Sequence, residues 1–245
     1  MRAVYDRPTG LWHRPGDRVI LDEHVYDNVP IQRGDVVLDL GAHIGSATCL
    51  FLAKGAAKSI AVEPDPSNLL LLRKNVARRP VTIIPAAVAA KGGRVPFYVR
   101  TDRSYVGSTI SDANRKRVVV PAVGFADLLA RYRPTVVKCD IEFSEYDLPE
   151  LRALPEQVRV LTMEVHIRYV GVFTDRKLDA AGLRERREAA ADLIAAIEAQ
   201  GFREHWRKDK RVTPKQAAGG EGPAEPDGTG LAPLTKCVCA TWVRP

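Results

Sequence analysis

The sequence lacks long apolar runs, and this absence limits the classes of protein that it can encode. No stretch approaches a membrane-spanning helix, which needs about 18 consecutive apolar residues or more. Residues 1–7 also lack the apolar core of a secretory signal peptide. We therefore predict a soluble, cytoplasmic protein that has no membrane partner.

Cysteine is scarce, and none of its spacings matches a metal or redox motif. The chain has four cysteines, Cys49, Cys139, Cys237 and Cys239, and no pair has the C-x-x-C spacing of a zinc or redox site. Free cysteines in apolar segments are usually buried and behave as small apolar side chains. The sequence therefore predicts free, buried thiols and no dedicated metal site.

Aromatic residues are also few, which weighs against a nucleic-acid partner. The net charge of +7 would suit such a partner, but aromatic side chains make up only 7% of the chain. The basic residues are scattered among acids, whereas nucleic acids bind a continuous basic face with interleaved aromatic side chains. A nucleic-acid partner is therefore only a lesser alternative for this chain.

A glycine-bearing turn between a strand and a helix is the most informative segment that is present. Residues 36–40 have an apolar strand pattern, Gly41 and Gly45 lie in the turn, and residues 46–53 have a helical pattern. The spacing D-x-G-x-x-x-G differs from the G-x-G-x-x-G of dinucleotide-binding proteins. A second strand ends at Glu63, about 20 residues further on, where an acid can accept hydrogen bonds from ribose hydroxyls. Together these features predict an adenosyl ligand without phosphates, and S-adenosylmethionine fits.

Four segments, in this order, resemble the FkbM family of methyltransferases. They are residues 34–45 (GDVVLDLGAHIG), 61–64 (AVEP), 138–145 (KCDIEFSE) and 163–166 (MEVH), and the resemblance extends over about residues 17–200. It implies a Rossmann-like fold, S-adenosylmethionine as cofactor and methylation of a hydroxyl on a sugar or natural-product scaffold, as in secondary metabolism. The family usually has glycine where this chain has Phe143.

The predicted cofactor site combines the glycine turn, the second strand end and two later positions. Small side chains after the third strand leave room for an adenine ring, and an acid after the fourth strand lies near the expected methionine end of the cofactor. The predicted cofactor-binding residues are Asp39, Gly41, Ala42, His43, Gly45, Glu63, Pro64, Ala87 and Asp140.

Strand and helix patterns alternate from residue 36 onward, which is typical of an α/β protein. We predict a doubly wound, mostly parallel seven-stranded sheet with helices on both faces and an antiparallel hairpin at the C-terminal edge. The longest helix is predicted at residues 176–200. The predicted core strands are residues 36–40, 59–62, 81–84, 135–140, 158–165, 202–206 and 234–243, and the accessory strands are 95–100 and 117–123.

The chain is predicted to hold one methyltransferase domain, residues 31–245, after an N-terminal extension. Prolines and glycines in residues 1–30 predict loops and a short helix near residues 21–27. Similar segments fold over the ligand in many Rossmann-like transferases, so this extension is a candidate lid. The irregular segment 101–116 is a candidate substrate contact. Residues 214–233, rich in glycine and proline, are predicted to form a disordered loop.

Ionisable residues follow the fourth and fifth core strands, at the end of the sheet where ligands bind in such folds. His166 is the candidate general base, because an unperturbed imidazole has a pKa of about 6.5. A base is needed if the small-molecule acceptor is a neutral hydroxyl. The predicted catalytic residues are Asp140, Glu142, Glu145, Glu164 and His166.

The four acids of this set leave other functions open. They exceed what a hydroxyl acceptor requires, and they could hold a cationic amine or guanidinium by charge-assisted hydrogen bonds. N-methylation of an arginine-like metabolite is therefore the main alternative. Oxygen ligation of a divalent metal is a further alternative, and methylation of RNA and a binding module without catalysis are lesser ones. A homodimer is a further expectation.

Overall fold

The computed structural model describes residues 3–99, 116–167, 180–211, 229, 231 and 235–245. The strands are β1 Val4–Asp6, β2 Leu11–His13, β3 Val36–Leu40, β4 Lys58–Val62, β5 Val81–Ile84, β6 Ala87–Ala89, β7 Gly93–Val99, β8 Lys116–Gly124, β9 Val136–Cys139, β10 Val160–His166, β11 Arg203–Arg211 and β12 Thr235–Val243. The helices are α1 Arg18–Glu23, α2 Ser46–Ala53, α3 Pro66–Asn75, α4 Phe125–Tyr132 and α5 Ala180–Glu198. Short 3-10 helices lie at Pro15–Asp17, Ser144–Asp147 and Pro149–Arg152.

Seven strands form the main sheet in the order β5-β4-β3-β9-β10-β12-β11. The first five of these pair in parallel, whereas β12 pairs antiparallel with both β10 and β11. The predicted α/β fold with a mostly parallel seven-stranded sheet is confirmed. β11 continues to Arg211, beyond the predicted end at residue 206, because it pairs with β12 along a run of charged residues.

Successive residues of the central strands pack against different helices. Leu38 of β3 belongs to one buried cluster with Leu128 of α4 and Leu193 of α5. Its neighbour Val37 packs in another cluster with Phe51 of α2. This alternation follows from the strand period of two, and each fully buried side chain of this kind contributes about 1.5–3 kcal/mol. The same alternation directs the polar side chains of these strands, such as Asp39, toward the α2 side of the sheet.

A smaller sheet joins β6, β8 and β7, with β8 in the middle. β7 and β8, which overlap the two predicted accessory strands, pair antiparallel, and β6 pairs in parallel with β8. Most of the predicted substrate-contact segment 101–116 lies outside the described residues. The same is true of the predicted disordered loop 214–233, in which only Thr229 and Leu231 are described.

The N-terminal extension folds against α3 and the glycine turn. The side chain of Asn75 both accepts from the N–H of Trp12, at 2.7 Å, and donates to its carbonyl oxygen, at 2.9 Å. The helix predicted near residues 21–27 is wrong in position, because α1 begins at Arg18 and His24 ends it with a left-handed φ of 53°. The lid function of residues 1–30 stays a prediction.

Among the described residues, none of the helices has the length and apolar composition that crossing a membrane requires.

Candidate active site

The glycine turn after β3 is held tightly against the end of β9. Gly41 has a left-handed φ of 77°, and its N–H and that of Ala42 both donate to the carbonyl oxygen of Val62, at 3.0 Å. A Cβ atom at position 41 would overlap the carbonyl oxygen of Asp140. Only glycine permits this close approach. The turn therefore lies between β3 and β9, where the strand order of the sheet reverses and where such folds bind ligands.

Glu63 follows β4 and is held in one orientation by three donors. Its Oε2 accepts from the N–H of His43 at 2.8 Å, while its Oε1 accepts from the N–H of Asp65 at 2.8 Å and from the side-chain amide of Asn68 at 3.1 Å. Burial raises the pKa of this carboxyl, and His43 and the hydrogen bonds oppose that shift. A carboxylate has about four lone-pair sites, so it retains capacity for a ligand hydroxyl.

A cavity lies over these strand ends and encloses about 90 Å³. The predicted cofactor residues that line it are Gly41, Ala42, His43, Glu63, Pro64, Ala87 and Asp140. Two predicted cofactor residues, Asp39 and Gly45, are not part of its wall. A Cβ atom at Gly45, which has a φ of 88°, would come within 2.7 Å of Leu72 Cδ1, so this glycine allows α2 to pack against α3.

Asp39 lies beneath the cavity, where it holds a lysine. Its carboxylate accepts from the hydroxyl of Thr48 at 2.5 Å and pairs with Lys138 Nζ at 3.2 Å. The ammonium of Lys138 also donates to the carbonyl oxygen of Gly41, at 2.6 Å. Burial opposes the charge of Lys138, but Asp39 and Asp140 outweigh it and raise the lysine pKa. Asp39 thus supports the glycine turn through Lys138.

The predicted catalytic acids surround His166. Its Nδ1 lies 3.1 Å from Glu145, and its Nε2 lies 3.7 Å from Glu142, 3.8 Å from Glu164 and 4.0 Å from Asp140. Burial lowers the pKa of the imidazole, but Glu145 and Glu142 outweigh this effect and raise it well above its ordinary value. This shift favours the protonated ring, so the ordinary imidazole pKa assumed for a general base does not describe this site. The catalytic role of His166 stays a prediction.

Glu164 has a cationic partner that the sequence did not indicate. Lys210 of β11 donates to Glu164 at 2.9 Å and to Glu23 at 2.8 Å. Burial raises the pKa of Glu164, but Lys210 and His166 outweigh it and lower that pKa to about 2. The prediction that β11 ends at residue 206 left Lys210 outside the strand, so this contact was missed.

Asp140 is one of two acids of the cluster that line the cavity, together with Glu142. The hydroxyl of Tyr26 donates to its Oδ2 at 3.0 Å, and Lys138 lies 4.0 Å from the same oxygen. Burial and Glu164 raise the pKa of Asp140, against the opposing effects of Lys138 and His166. Asp140 is therefore better suited than His166 to accept a proton. Tyr26 was missed as a site residue because it lies 114 positions earlier in the chain.

The amino-acid sequence that forms this site matches a family model. Residues 39–204 match the methyltransferase FkbM domain. The chain belongs to the FkbM methyltransferase family. This confirms the family that the four sequence segments indicated.

Two solved structures show the same fold. Methyltransferase FkbM from Methylobacillus flagellatus KT is 16% identical, with a TM-score of 0.51, and the match covers 89% of this chain and 47% of that one. This chain thus spans about half of the Methylobacillus protein. A protein from Listeria monocytogenes, assigned as an S-adenosylmethionine dependent methyltransferase, is 12% identical with a TM-score of 0.50, over 91% of this chain and 96% of that one. No curated protein matches this sequence.

Phe143, where the resemblance implies glycine, lies at a left-handed position. Phe143 has a φ of 76°, and Glu142 before it has a φ of 53°. The left-handed region costs a residue with a side chain roughly 1–2 kcal/mol, which explains the preference for glycine. The Phe143 ring is buried and packs on the imidazole of His166, with centroids 5.0 Å apart, and it is not part of the cavity wall.

Two sets of side chains have the proximity that a metal ion requires. They are Asp140, Glu164 and His166, and Glu164, Cys237 and Cys239, each with ligand atoms within 4.8 Å of one another. Both sets share the Glu164 carboxylate, which already pairs with the ammonium of Lys210. We therefore assign no metal to either set. The four cysteines are free and buried, as predicted.

Proposed function

We propose that this FkbM-family protein transfers the methyl group of S-adenosylmethionine to a hydroxyl of a small-molecule acceptor. The observation that carries the proposal is the cavity wall, in which the glycine turn, the Glu63 carboxylate and Asp140 come together at the ends of three parallel strands. No glycine-rich phosphate loop accompanies them. This combination favours an adenosyl ligand whose charged end is an amino acid.

The residues present fit such a cofactor. Glu63 would hold the ribose hydroxyls, because three protein donors fix its carboxylate beside the cavity. Ala86 and Ala87 leave room for a flat adenine ring. His43 Nδ1 is buried without a hydrogen-bond partner among the described residues, and a ligand group could satisfy it. When bound, the cofactor supplies a methyl group activated by a sulfonium charge.

The N-terminal extension is proposed to act as a lid over this cofactor. Its Ile20 and Tyr26 form part of the cavity wall. Outward movement of these residues would widen the cavity for entry of the cofactor, and their closure over the bound ligand would exclude water.

The protein must align the acceptor and take up its proton. The acceptor oxygen forms a bond to the methyl carbon as the bond from sulfur to that carbon breaks, and the hydroxyl proton passes to Asp140. The hydrogen bond from Tyr26 orients the carboxylate of Asp140, and the protonated His166 balances the nearby negative charge. Alignment of two reactants in this way can supply much of the rate enhancement.

N-methylation of a cationic acceptor is the second candidate. Asp140 and Glu142 both line the cavity and could pair with a guanidinium. Against it, Glu164 is paired with Lys210, and Glu145 is fully buried against His166. The excess of acids that favoured a cationic acceptor is therefore largely used within the protein.

A turnover assay with defined acceptors tests the proposal. Formation of S-adenosylhomocysteine is measured by mass spectrometry with panels of neutral hydroxyl compounds and of arginine-like amines, with and without EDTA. We expect turnover with at least one hydroxyl compound, unaffected by EDTA. Turnover confined to the cationic panel would replace the proposal with N-methylation, and dependence on a metal would contradict it.

A further inference from the structure

A second cavity, of about 350 Å³, lies between the N-terminal extension and α2. We propose that this cavity binds the body of the methyl acceptor, and that the acceptor is a hydroxyl compound with an apolar body. The inference rests on the proposed methyl transfer and narrows its substrate class. The cavity is lined by Thr9, Leu11, Ile20, Leu21, His24, Val25, Tyr26, Asp27, Ser46, Ala47, Cys49, Leu50, Ala53 and Arg79.

The two cavities share one wall. Ile20, Tyr26, Ser46 and Ala47 line both of them. The Tyr26 ring borders the second cavity, while its hydroxyl donates to Asp140 in the first. A molecule whose body fills the second cavity therefore has one end beside Tyr26, whose hydroxyl contacts the carboxylate proposed to accept the proton. This adjacency is what connects the second cavity to the proposed transfer.

The inner surface of the second cavity is apolar. Leu11, Leu21, Val25, Ala47 and Cys49 are all buried there, with at most 9% of each residue exposed. Burial of an apolar ligand surface against such a wall is favourable, because it removes that surface from water. A sugar would lose hydrogen bonds to water along this wall without replacing them, which is unfavourable.

The charged side chains that line this cavity are exposed, and its partly buried polar side chains are Tyr26 and Ser46. His24 and Asp27 are exposed and pair with each other at 2.9 Å, and Arg79 is also exposed. The carboxylates of the His166 cluster do not line this cavity. An arginine-like acceptor would therefore find no buried countercharge here. A volume of about 350 Å³ lies at the lower end of the range for small-molecule sites, which suits a compact apolar body.

The test uses a fluorescent apolar probe and two matched variants on α2. Leu50→Trp inserts an indole into the second cavity, whereas Leu52→Trp changes an equally half-buried leucine of the same helix that lines neither cavity. Binding of 1-anilinonaphthalene-8-sulfonate is titrated in each protein, and 1-decanol, glucose and arginine are tested as competitors. Ala53→Phe, at the exposed lip, serves as a second variant if Leu50→Trp does not fold.

We expect saturable binding of the dye to the wild type and to Leu52→Trp, and at least tenfold weaker binding to Leu50→Trp or Ala53→Phe. Decanol should displace the dye, while glucose and arginine should not. Equal dye affinity in all variants, or displacement by glucose or arginine, would overturn the proposal. Displacement by S-adenosylhomocysteine would also overturn it, because the cavity would then belong to the cofactor.

Calorimetric titration of S-adenosylhomocysteine into the same proteins separates this proposal from the proposed function. We expect unchanged affinity in Leu50→Trp and Leu52→Trp. If the wild type binds the dye as expected but does not bind S-adenosylhomocysteine, the methyltransferase proposal fails while the apolar site stands. If it binds S-adenosylhomocysteine but the dye does not respond to Leu50→Trp, only the acceptor site fails.

Discussion

The ion pair between Lys210 and Glu164 gives a stability prediction that can be worked out from the structure. Their charged atoms lie 2.9 Å apart and are largely buried. At an effective dielectric constant of about 20, the attraction is about 6 kcal/mol, and desolvation of both groups offsets much of it. The pKa of Glu164, about 2 against an ordinary 4.5, corresponds to a net contribution of about 3 kcal/mol. Because His166 supplies part of that shift, we expect Lys210→Met to lower the free energy of unfolding by about 2–3 kcal/mol at neutral pH.

The pH dependence follows from the direction of the Glu164 shift. A carboxyl whose folded pKa is lowered stabilises the protein above its unfolded pKa, and this contribution disappears as the pH falls toward the folded value. The difference between Lys210→Met and the wild type should therefore shrink as the pH falls from 4.5 toward about 2.

Urea denaturation followed by circular dichroism measures this difference. Lys208→Met is the matched control, because Lys208 lies on the same strand and is exposed. The double variant Lys210→Met/Glu164→Gln should recover most of the lost stability, since no buried charge is left unpaired. If Lys210→Met costs no more than Lys208→Met at neutral pH, the reasoning is refuted.

Three further predictions concern the site. Tyr26→Phe should lower kcat at least tenfold and leave the affinity for S-adenosylhomocysteine unchanged, because only the hydrogen bond to Asp140 is lost. Tyr132→Phe is the control, and an unchanged kcat in Tyr26→Phe would count against the assigned role. Phe143→Gly should be more stable than Phe143→Ala by about 1 kcal/mol in thermal or urea unfolding, since a φ of 76° suits glycine. A higher stability of Phe143→Ala would show that the position is not left-handed. His166→Gln should lower the free energy of unfolding most below pH 6.5, and progressively less as the pH rises through the raised pKa of the folded protein. Urea titrations at several pH values measure this loss, and a loss that does not change with pH would show that the imidazole is not held protonated.

Local patterns in the sequence were sufficient to predict the cofactor side of the site. Gly41 and Glu63 each follow a short apolar strand, and parallel strands bring their carboxyl ends to the same edge of a sheet. Asp140 and His166 were predicted for the same reason, and the structure places them within 4.0 Å of each other. The predicted positions of the strand ends were therefore sufficient to indicate that these residues lie close together.

The partners of these residues could not be predicted, because they depend on long-range packing. Tyr26 reaches Asp140 from the N-terminal extension, and Lys210 reaches Glu164 from an edge strand whose charged sequence hides its strand pattern. Lys138 was visible as a lone charge in an apolar strand, yet only the structure shows that it holds the carbonyl oxygen of Gly41. Lys138 and Lys210 oppose the rise in the pKa of Asp140, while Lys210 lowers that of Glu164, so the electrostatics of the site depend on partners that the local sequence pattern does not show.

Binding of S-adenosylhomocysteine, measured by isothermal titration calorimetry, tests the central claim most directly. The account predicts one binding site per chain in the wild type and in the control Glu198→Gln, which changes an exposed acid far along the chain. It predicts about 10–100-fold weaker binding in Glu63→Gln, which loses a charged hydrogen-bond acceptor for the ribose. Failure of the wild type to bind, or equal affinity in Glu63→Gln, would contradict it.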